Sequence, residues 1–306
     1  MTATIKFDVP EDEYRRGDKI PRLTQSLAKT LLTFSPRHTW LECPALNPVW
    51  QEDDDKKFDI GNIAHSLLIG RGKRVQMIDA DDWRTKAAKE EREALKAQGI
   101  LGVLRKHHTT AEIMVDCAKI QLAEYREFDL MAALKDCSGE VVVEWVQRAF
   151  YPFKVFESQM AAVAMKTMID LLSEKKRLVI DYKTVGQSAN PVEIPRVLTN
   201  FGWDVQAATH KMALDTVDPE NAGRRTHLFI AQESFPPYAL TVAEITEAVM
   251  TIGTKKLLVA MEIWQECIES GNWPMYPARI LRPEYPEWAE NAWLKREMEE
   301  FGHEDH

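Results

Sequence analysis

The 306-residue sequence has no long apolar run, only four cysteines, and little glycine or proline. No stretch approaches the ~20 apolar residues that a membrane-spanning helix needs. The polar start over residues 1–18 lacks a signal-peptide pattern. The cysteines lie far apart without a CxxC pair, so the usual zinc and iron–sulfur motifs are excluded. We therefore expect a cytoplasmic protein with reduced thiols and no membrane partner.

Positive charge is also in deficit, since 39 basic residues face 48 acidic ones and the formal net charge is −9. This balance argues against a generally basic surface for nucleic acid, but it permits a local basic track beside an acidic site. A hydrophobic content of 45% is enough for a sizeable core. We predict one domain over 1–306, with a helical part over about 1–135, a sheet core with the site over about 136–245, and a C-terminal helix and tail over about 246–306.

Residues suited to catalysis are concentrated in one predicted hairpin. Its strands are Met168–Leu172 and Leu178–Thr184, joined by a polar turn. Side chains alternate along a strand, so Asp181 and Lys183 share a face, roughly 7 Å apart. If the loop has four residues, Asp170 lies opposite Asp181, with Cβ atoms about 5 Å apart.

Two carboxylates this close repel, and one of them is driven to hold a proton. A divalent cation between them removes that penalty, and oxygen ligands of this kind suit Mg²⁺ or Mn²⁺. The alternative interpretation is an exposed hairpin with solvated charges, because an Asp-x-Lys pair on a strand arises often by chance.

An apolar helical face runs through Phe58–Gly70, and it carries Gly61 and His65 one turn apart. Because Gly61 has no side chain, another element could approach the histidine closely. His65 is either a packed or capping histidine or, beside carboxylates, a metal ligand.

Two further elements carry polar candidates. The predicted strand Glu140–Val146 has Glu140 and Glu144 on one face, so that one glutamate turns toward the site or both are exposed on an edge strand. The predicted helix Val197–Leu214 has Gln206 and His210 four positions apart on one face. Gln206 is expected to contact a phosphate oxygen or brace Lys183, or it is an ordinary surface residue.

The pair of acids and the lysine of the hairpin resemble the PD-(D/E)xK nucleases. Asp170 matches the first acid of that family, Asp181 the second and Lys183 the lysine. The Gly-x-x-x-His helix is similar to that of the RecB-type branch, in which the histidine helps hold the metal. Glu140 matches the upstream acid, and Gln206 matches the glutamine of a Gln-x-x-x-Tyr helix that faces the active site.

The order of motifs along most of the chain resembles the phage and prophage exonucleases related to the RecE exonuclease (exonuclease VIII). The motifs follow an N-terminal Ser-Leu helix pair and are Gly61-x-x-x-His65, Trp83-Arg84-Thr85-Lys86, Glu140…Trp145, Asp170…Asp181-x-Lys183-Thr184, Gln206, Glu233…Pro237-Tyr238 and Gly271-x-Trp273-Pro274. The sequence departs from the family at Thr167-Met168-Ile169, where Arg-Pro is usual, at His210, and in the long segment Phe150–Lys166. Neither of the first two departures removes a metal ligand, so we expect activity.

This resemblance implies an α/β fold with a central mixed β-sheet flanked by helices, the restriction-endonuclease-like nuclease core. It implies 5′ to 3′ digestion of one strand of linear double-stranded DNA, a ring-shaped homo-oligomer, and a RecT-like single-strand annealing protein as partner. The resulting hypothesis is that His65, Asp170 and Asp181, with Glu140 and the Tyr182 carbonyl, bind Mg²⁺ or its substitute Mn²⁺. Lys183 then orients the attacking water. The alternatives are a catalytically degenerate protein that binds DNA ends, or a nuclease with endonuclease or flap specificity.

Overall fold

The structure is a computed structural model that describes residues 3–15, 19–51, 60–70, 74–149 and 161–300. The chain divides into two compact units, Met1–Trp273 and Pro274–His306. The assignment of 1–306 to one domain stays a prediction. None of the helices in these ranges is both long and apolar enough to span a bilayer.

The strands, all in the first unit, are β1 (Thr4–Lys6), β2 (Val75–Ile78), β3 (Leu101–Leu104), β4 (Ser138–Ala149), β5 (Ala161–Leu172), β6 (Leu178–Val185), β7 (Thr226–Glu233) and β8 (Leu240–Glu244). The helices of that unit are α1 (Glu11–Arg15), α2 (Gln25–Thr33), α3 (Pro36–Glu42), α4 (Ile60–Ile69), α5 (Lys86–Ala97), α6 (Arg105–Leu122), α7 (Leu130–Asp136), α8 (Ile194–Phe201), α9 (Trp203–Val217) and α10 (Glu247–Ser270). The second unit contains the helix α11 (Glu287–Glu300).

A six-stranded mixed sheet, in the order β1-β4-β5-β6-β7-β8, forms the centre of the first unit. Its neighbouring strands are antiparallel except for the parallel pair β6 and β7. Parallel neighbours require a crossover connection, and α8 and α9 provide it. Strands β2 and β3 form a separate parallel pair. The predicted α/β class, with a central mixed sheet flanked by helices, is confirmed.

The two faces of the sheet are both covered by helices. On one face Leu171 and Ile180 pack with apolar residues of α4 and α6. On the other face Trp145 and Phe229 pack with apolar residues of α2, α9 and α10. Burial of such side chains stabilises the fold by about 1.5–3 kcal/mol each, so the helices on both faces are fixed relative to the strands.

The β5–β6 hairpin closes on the predicted four-residue loop, because the Ser173 amide donates to the Leu178 carbonyl at 3.0 Å. Strand β5 begins at Ala161 and not at the predicted Met168, since it pairs with β4 along nearly its whole length. The segment 150–166 is therefore partly strand. Its residues 150–160 lie outside the described ranges.

The predicted helix Val197–Leu214 is two helices, α8 and α9. They are separated by Gly202, whose φ of +68° is in the left-handed region. Glycine reaches this conformation at no steric cost and commonly ends a helix. The break leaves Gln206 and His210 together on α9, which lies over the sheet.

Candidate active site

Asp170, Asp181 and Lys183 come together at the end of the β5–β6 ladder. The ladder pairs Leu171 with Ile180 and Leu172 with Val179, and continuation of that register places the two aspartates opposite each other. Lys183 Nζ lies 3.9 Å from Asp170 Oδ2 and forms a closer ion pair with Asp181 Oδ1. The structure thus brings together the residues that the alternation of the hairpin predicted to meet.

The two aspartates have different electrostatic environments. Burial alone would raise the pKa of Asp170, but the Lys183 ammonium and His65 hold this pKa well below its usual range. Burial and the neighbouring Asp170 carboxylate raise the pKa of Asp181 to about 7. Despite burial, the two carboxylates raise the pKa of the Lys183 ammonium. Lys183 therefore stays charged, while the acids titrate far apart.

His65 approaches this pair from α4, and its Nε2 lies 3.1 Å from Asp170 Oδ2. Burial lowers the pKa of His65, but the Asp170 carboxylate raises it by more. The approach depends on Gly61, because a Cβ atom there would lie 2.1 Å from Thr184 Oγ1 on β6. The expectation that a small residue would admit a neighbouring element one turn before the histidine is met.

Glu140 faces the same site from β4. Its neighbours Gly139 and Val141 pair with Leu171 and Ile169, so Glu140 lies opposite Asp170. Its φ of +46° is in the left-handed region, which costs a non-glycine residue of order 1–3 kcal/mol and recurs at functional sites. Burial raises the pKa of Glu140 to about 7, against a lowering by His65.

The alternative prediction, an edge strand on which both glutamates are exposed, is wrong. Strand β4 lies between β1 and β5 and not at the edge of the sheet, and Glu140 is only 8% exposed. Glu144 forms ion pairs with Lys6 and Arg22, each at 3.5 Å. Of the two glutamates, Glu140 is the one that lines the groove with Asp170.

Helix α9 holds Asp181 from the other side. Gln206 Nε2 donates to Asp181 Oδ1 at 2.9 Å, so Gln206 contacts this acid instead of bracing Lys183. His210 is fully buried, with Nε2 3.1 Å from the Met168 carbonyl and Nδ1 3.5 Å from Asp181 Oδ2. The contact of His210 with Asp181 was missed by sequence reasoning, although its spacing from Gln206 was the available signal.

Tyr182 points its side chain to the opposite face of the sheet, where its hydroxyl donates to Gln232 Oε1. Its amide donates to Asp170 Oδ2 at 3.1 Å, in place of a regular ladder bond. Tyr182 thereby fixes Asp170 through its backbone. Metal ligation by the Tyr182 carbonyl stays a prediction.

A divalent cation at this site would meet carboxylate oxygens and a nearby ammonium group. Within the described ranges, no group of three or more His, Cys, Asp or Glu side chains is arranged to hold a metal ion, and Lys183 pairs with both aspartates instead. The donors nevertheless suit Mg²⁺, because Asp170, Asp181 and Glu140 supply carboxylate oxygens. Asp181 Oδ2 is buried and has no hydrogen-bond partner among the described residues. The chemistry fits, provided that Lys183 moves away from the carboxylates on binding.

Five residues of the site line an open groove of about 1120 Å³, and they are His65, Glu140, Asp170, Lys183 and Gln206, while Asp181 lies buried behind it. The same groove is lined by basic residues such as Arg22 and Lys166 and by the aromatic residues Tyr14 and Trp50. Small-molecule pockets usually span about 300–1,000 Å³. The groove is therefore large enough for an extended substrate, and both acidic and basic side chains line it.

Comparisons with known proteins identify a family and a similar fold. The PD-(D/E)XK nuclease superfamily matches the chain over residues 22–297. The fold is similar to a crystal structure from Eubacterium rectale named "Putative exonuclease", with a TM-score of 0.54 and 12% identity over 89% of this chain and 93% of that one. A phage-related exonuclease from Haemophilus somnus 129PT aligns with a TM-score of 0.33 and 10% identity, over 82% of this chain and 96% of its own.

No curated protein sequence matches the chain. The superfamily match covers all the residues of the site, from His65 on α4 to His210 on α9. It also covers the six-stranded sheet except for β1. On this match, the chain belongs to the PD-(D/E)XK nuclease superfamily.

Proposed function

We propose that the protein is a Mg²⁺-dependent exodeoxyribonuclease that hydrolyses phosphodiester bonds of linear double-stranded DNA. The observation that carries this proposal is the convergence of Asp170, Asp181 and Lys183 with His65 at one open groove, which Asp170, Lys183 and His65 line and behind which Asp181 is buried. Digestion from 5′ to 3′, with release of single strands for recombination, rests on the resemblance to the RecE-type exonucleases.

The residues divide the work as follows. Mg²⁺ or Mn²⁺ would be held by His65, Asp170, Asp181 and Glu140, together with the Tyr182 carbonyl. A divalent cation held there supplies a Lewis acid for the scissile phosphate and acidifies a bound water.

The remaining chemistry falls to the protein's own side chains. Lys183 keeps its charge and can orient the attacking water and offset negative charge that develops on the phosphate. Gln206 fixes the orientation of Asp181 through Oδ1. Gln206 is held by the fold before substrate arrives, whereas Lys183 leaves its ion pairs with the two aspartates when the cation binds.

The size and lining of the groove are consistent with a polymeric substrate. Its acidic residues would repel phosphate in the absence of a cation, whereas the basic residues Arg22 and Lys166, which line the same groove, offset part of that charge. A ring-shaped homo-oligomer around DNA and a RecT-like single-strand annealing partner belong to the same proposal. Both rest on the order of motifs along the chain.

The test is digestion of linear duplex DNA labelled at either the 5′ or the 3′ end of one strand, with Mg²⁺ and then with chelator. We expect Mg²⁺-dependent loss of linear DNA, early release of the 5′ label, and no attack on closed circles. Asp181→Ala should abolish cleavage. Glu174→Gln, an exposed acid in the turn of the same hairpin, is the matched control and should retain full activity. Full activity of Asp181→Ala would refute the assignment.

One observation favours a second candidate, a degenerate protein that binds DNA ends without cutting them. Within the described ranges no preformed group of three ligands exists, and Lys183 pairs with both aspartates. In that case the wild-type protein would retain linear DNA in a mobility-shift assay and leave it intact with Mg²⁺ and with Mn²⁺. Cleavage of nicked or circular DNA would instead indicate endonuclease or flap specificity.

A further inference from the structure

Strands β5 and β6 diverge at the site, which leaves main-chain groups without their regular partners. Among the residues that the structure describes, β5 and β6 pair regularly only at Leu171 with Ile180 and at Leu172 with Val179. If the register continued, Met168 would lie opposite Lys183. Buried backbone carbonyls need a hydrogen-bond donor, so the Met168 carbonyl requires one from elsewhere.

His210 supplies that donor. Its Nε2 lies 3.1 Å from the Met168 carbonyl oxygen. A carbonyl oxygen only accepts, so the ring hydrogen is assigned to Nε2. The imidazole is fully buried on α9, and it therefore cannot exchange this partner for water.

The opposite edge of the same ring contacts Asp181. Nδ1 of His210 lies 3.5 Å from Asp181 Oδ2, while Oδ1 accepts from Gln206 at 2.9 Å. Gln206 and His210 are one turn apart on α9, the spacing at which two side chains of a helix face one neighbour. One helical turn thus contacts both oxygens of one carboxylate.

We infer that His210 is a positioning residue for Asp181. It bridges β5, through the Met168 carbonyl, to the carboxylate on β6, across the region where the two strands part. With its hydrogen on Nε2, the ring makes no hydrogen bond to Oδ2, so it limits the movement of Asp181 by contact and leaves Oδ2 without a competing donor. This role rests on the proposed function for its activity readout, but not for its structural readouts.

The ordinary alternative is that His210 only fills space in the core. A packing role predicts a general loss of stability when the imidazole is removed, with metal binding by the folded protein unchanged. A positioning role predicts a specific loss of metal affinity and turnover. Residues that orient metal ligands typically change metal affinity or activity by about 10–100-fold when replaced.

The experiment compares three variants of the full-length protein. His210→Phe removes both ring nitrogens and keeps a ring, and His210→Gln restores a donor. His227→Phe removes another buried histidine, 3% exposed on β7, and controls for the loss of a core imidazole. Thermal unfolding first establishes that each variant folds. Mn²⁺ affinity is then measured by titration, kcat and KM on end-labelled duplex DNA are measured, and hydrogen exchange is followed for a peptide that spans β6.

We expect His210→Phe to lower Mn²⁺ affinity and kcat at least tenfold, leave KM for DNA unchanged, and accelerate exchange in β6. His210→Gln should recover part of the loss, and His227→Phe should change melting temperature alone. Unchanged Mn²⁺ affinity and β6 exchange in His210→Phe, or equal changes in His227→Phe, would overturn the inference. If the wild-type protein cleaves no DNA, the proposed function fails, and the metal and exchange measurements still decide the role of His210. If the wild type binds no Mn²⁺ either, exchange in β6 decides it.

Discussion

Gln206 donates a 2.9 Å hydrogen bond to Asp181, from a helix to the neighbouring strand of the sheet. Asp181 is 1% exposed, so its carboxylate depends on such contacts for its orientation. The helix that carries Gln206 belongs to the crossover between the parallel strands β6 and β7. The crossover that joins the two parallel strands therefore places Gln206 beside Asp181.

Replacement of Gln206 by Leu should lower activity about tenfold while the protein stays folded. The substitution removes the only hydrogen bond that the described residues make from α9 to Asp181 Oδ1. Rates on labelled duplex DNA and melting temperatures test this expectation. Gln98→Leu, at the exposed end of α5, is the control and should change neither quantity. Equal rates for Gln206→Leu and the wild type would contradict a role for Gln206.

Lys183→Met should separate turnover from metal binding. The substitution removes the charge that lies 3.9 Å from Asp170 and closer to Asp181. With the ammonium gone, the two carboxylates repel more strongly, and a divalent cation should bind at least as tightly as before. Turnover should fall on the order of a hundredfold, because charge on the reacting phosphate loses one stabilising group.

Mn²⁺ titration and single-turnover cleavage give the two quantities for Lys183→Met. Lys175→Met, on the exposed loop of the same hairpin, is the control. Loss of metal binding in Lys183→Met would show that the lysine supports the ligands, and not the reaction.

Gly61→Ala should displace α4 from β6. A Cβ at this position would lie 2.1 Å from Thr184 Oγ1 and 2.9 Å from its Cβ. Such overpacking typically costs about 1–3 kcal/mol of stability, and it should move His65 away from Asp170. We expect a lower free energy of unfolding together with reduced cleavage.

Urea unfolding and the cleavage assay measure both effects of Gly61→Ala. Gly186→Ala, where an added Cβ meets no atom within 4 Å, is the control and should behave as the wild type. The double variant Gly61→Ala/Thr184→Ala should recover part of the stability, since it removes the nearer of the two clashing atoms. Strict additivity of the two changes would contradict the proposed contact.

The contribution of His227 to stability should fall as the pH drops from about 6.5 to about 4. Burial lowers the pKa of His227 from its ordinary 6.5 to about 4, with the Arg225 charge adding to the effect. In this window the unfolded chain binds a proton that the folded protein does not, so proton binding lowers the free energy of the unfolded state relative to the native state. The full contribution is about 3 kcal/mol, reached below pH 4.

Urea unfolding at a series of pH values measures this loss for the wild type and for His227→Gln. Carboxylates elsewhere titrate in both proteins, so the difference between the two curves isolates the histidine. The variant should lose less stability between pH 6.5 and pH 4. Parallel curves would show that His227 does not keep a lowered pKa in the native state.

Much of the site was predictable because its signals are local. The polar turn and the alternation of the hairpin place Asp170, Asp181 and Lys183 from sequence alone, and helical spacing links Gly61 to His65. These relations depend on fixed periods of strands and helices. Each of these relations is independent of the structure of the rest of the chain.

Other features depend on contacts that are distant in sequence. The first half of β5, which contains several alanines and has weak strand propensity, is a strand because β4 pairs with it. The break at Gly202 was overlooked because its neighbours continue the helical pattern on both sides. The contact of His210 with the Met168 carbonyl requires the divergence of β5 and β6, which no periodicity encodes.

His65 and Asp170 are 105 positions apart in sequence, yet their side chains meet at 3.1 Å. Closing so long a loop costs more entropy than forming the hairpin. We therefore expect the contact of His65 with Asp170 to form after the hairpin. A fragment that begins after α4 would keep the strands with both aspartates and the lysine but would lack the histidine. The complete site therefore forms only when the amino-terminal third of the chain has packed against the sheet. Hydrolysis of DNA would then be a better measure of complete folding than the content of secondary structure.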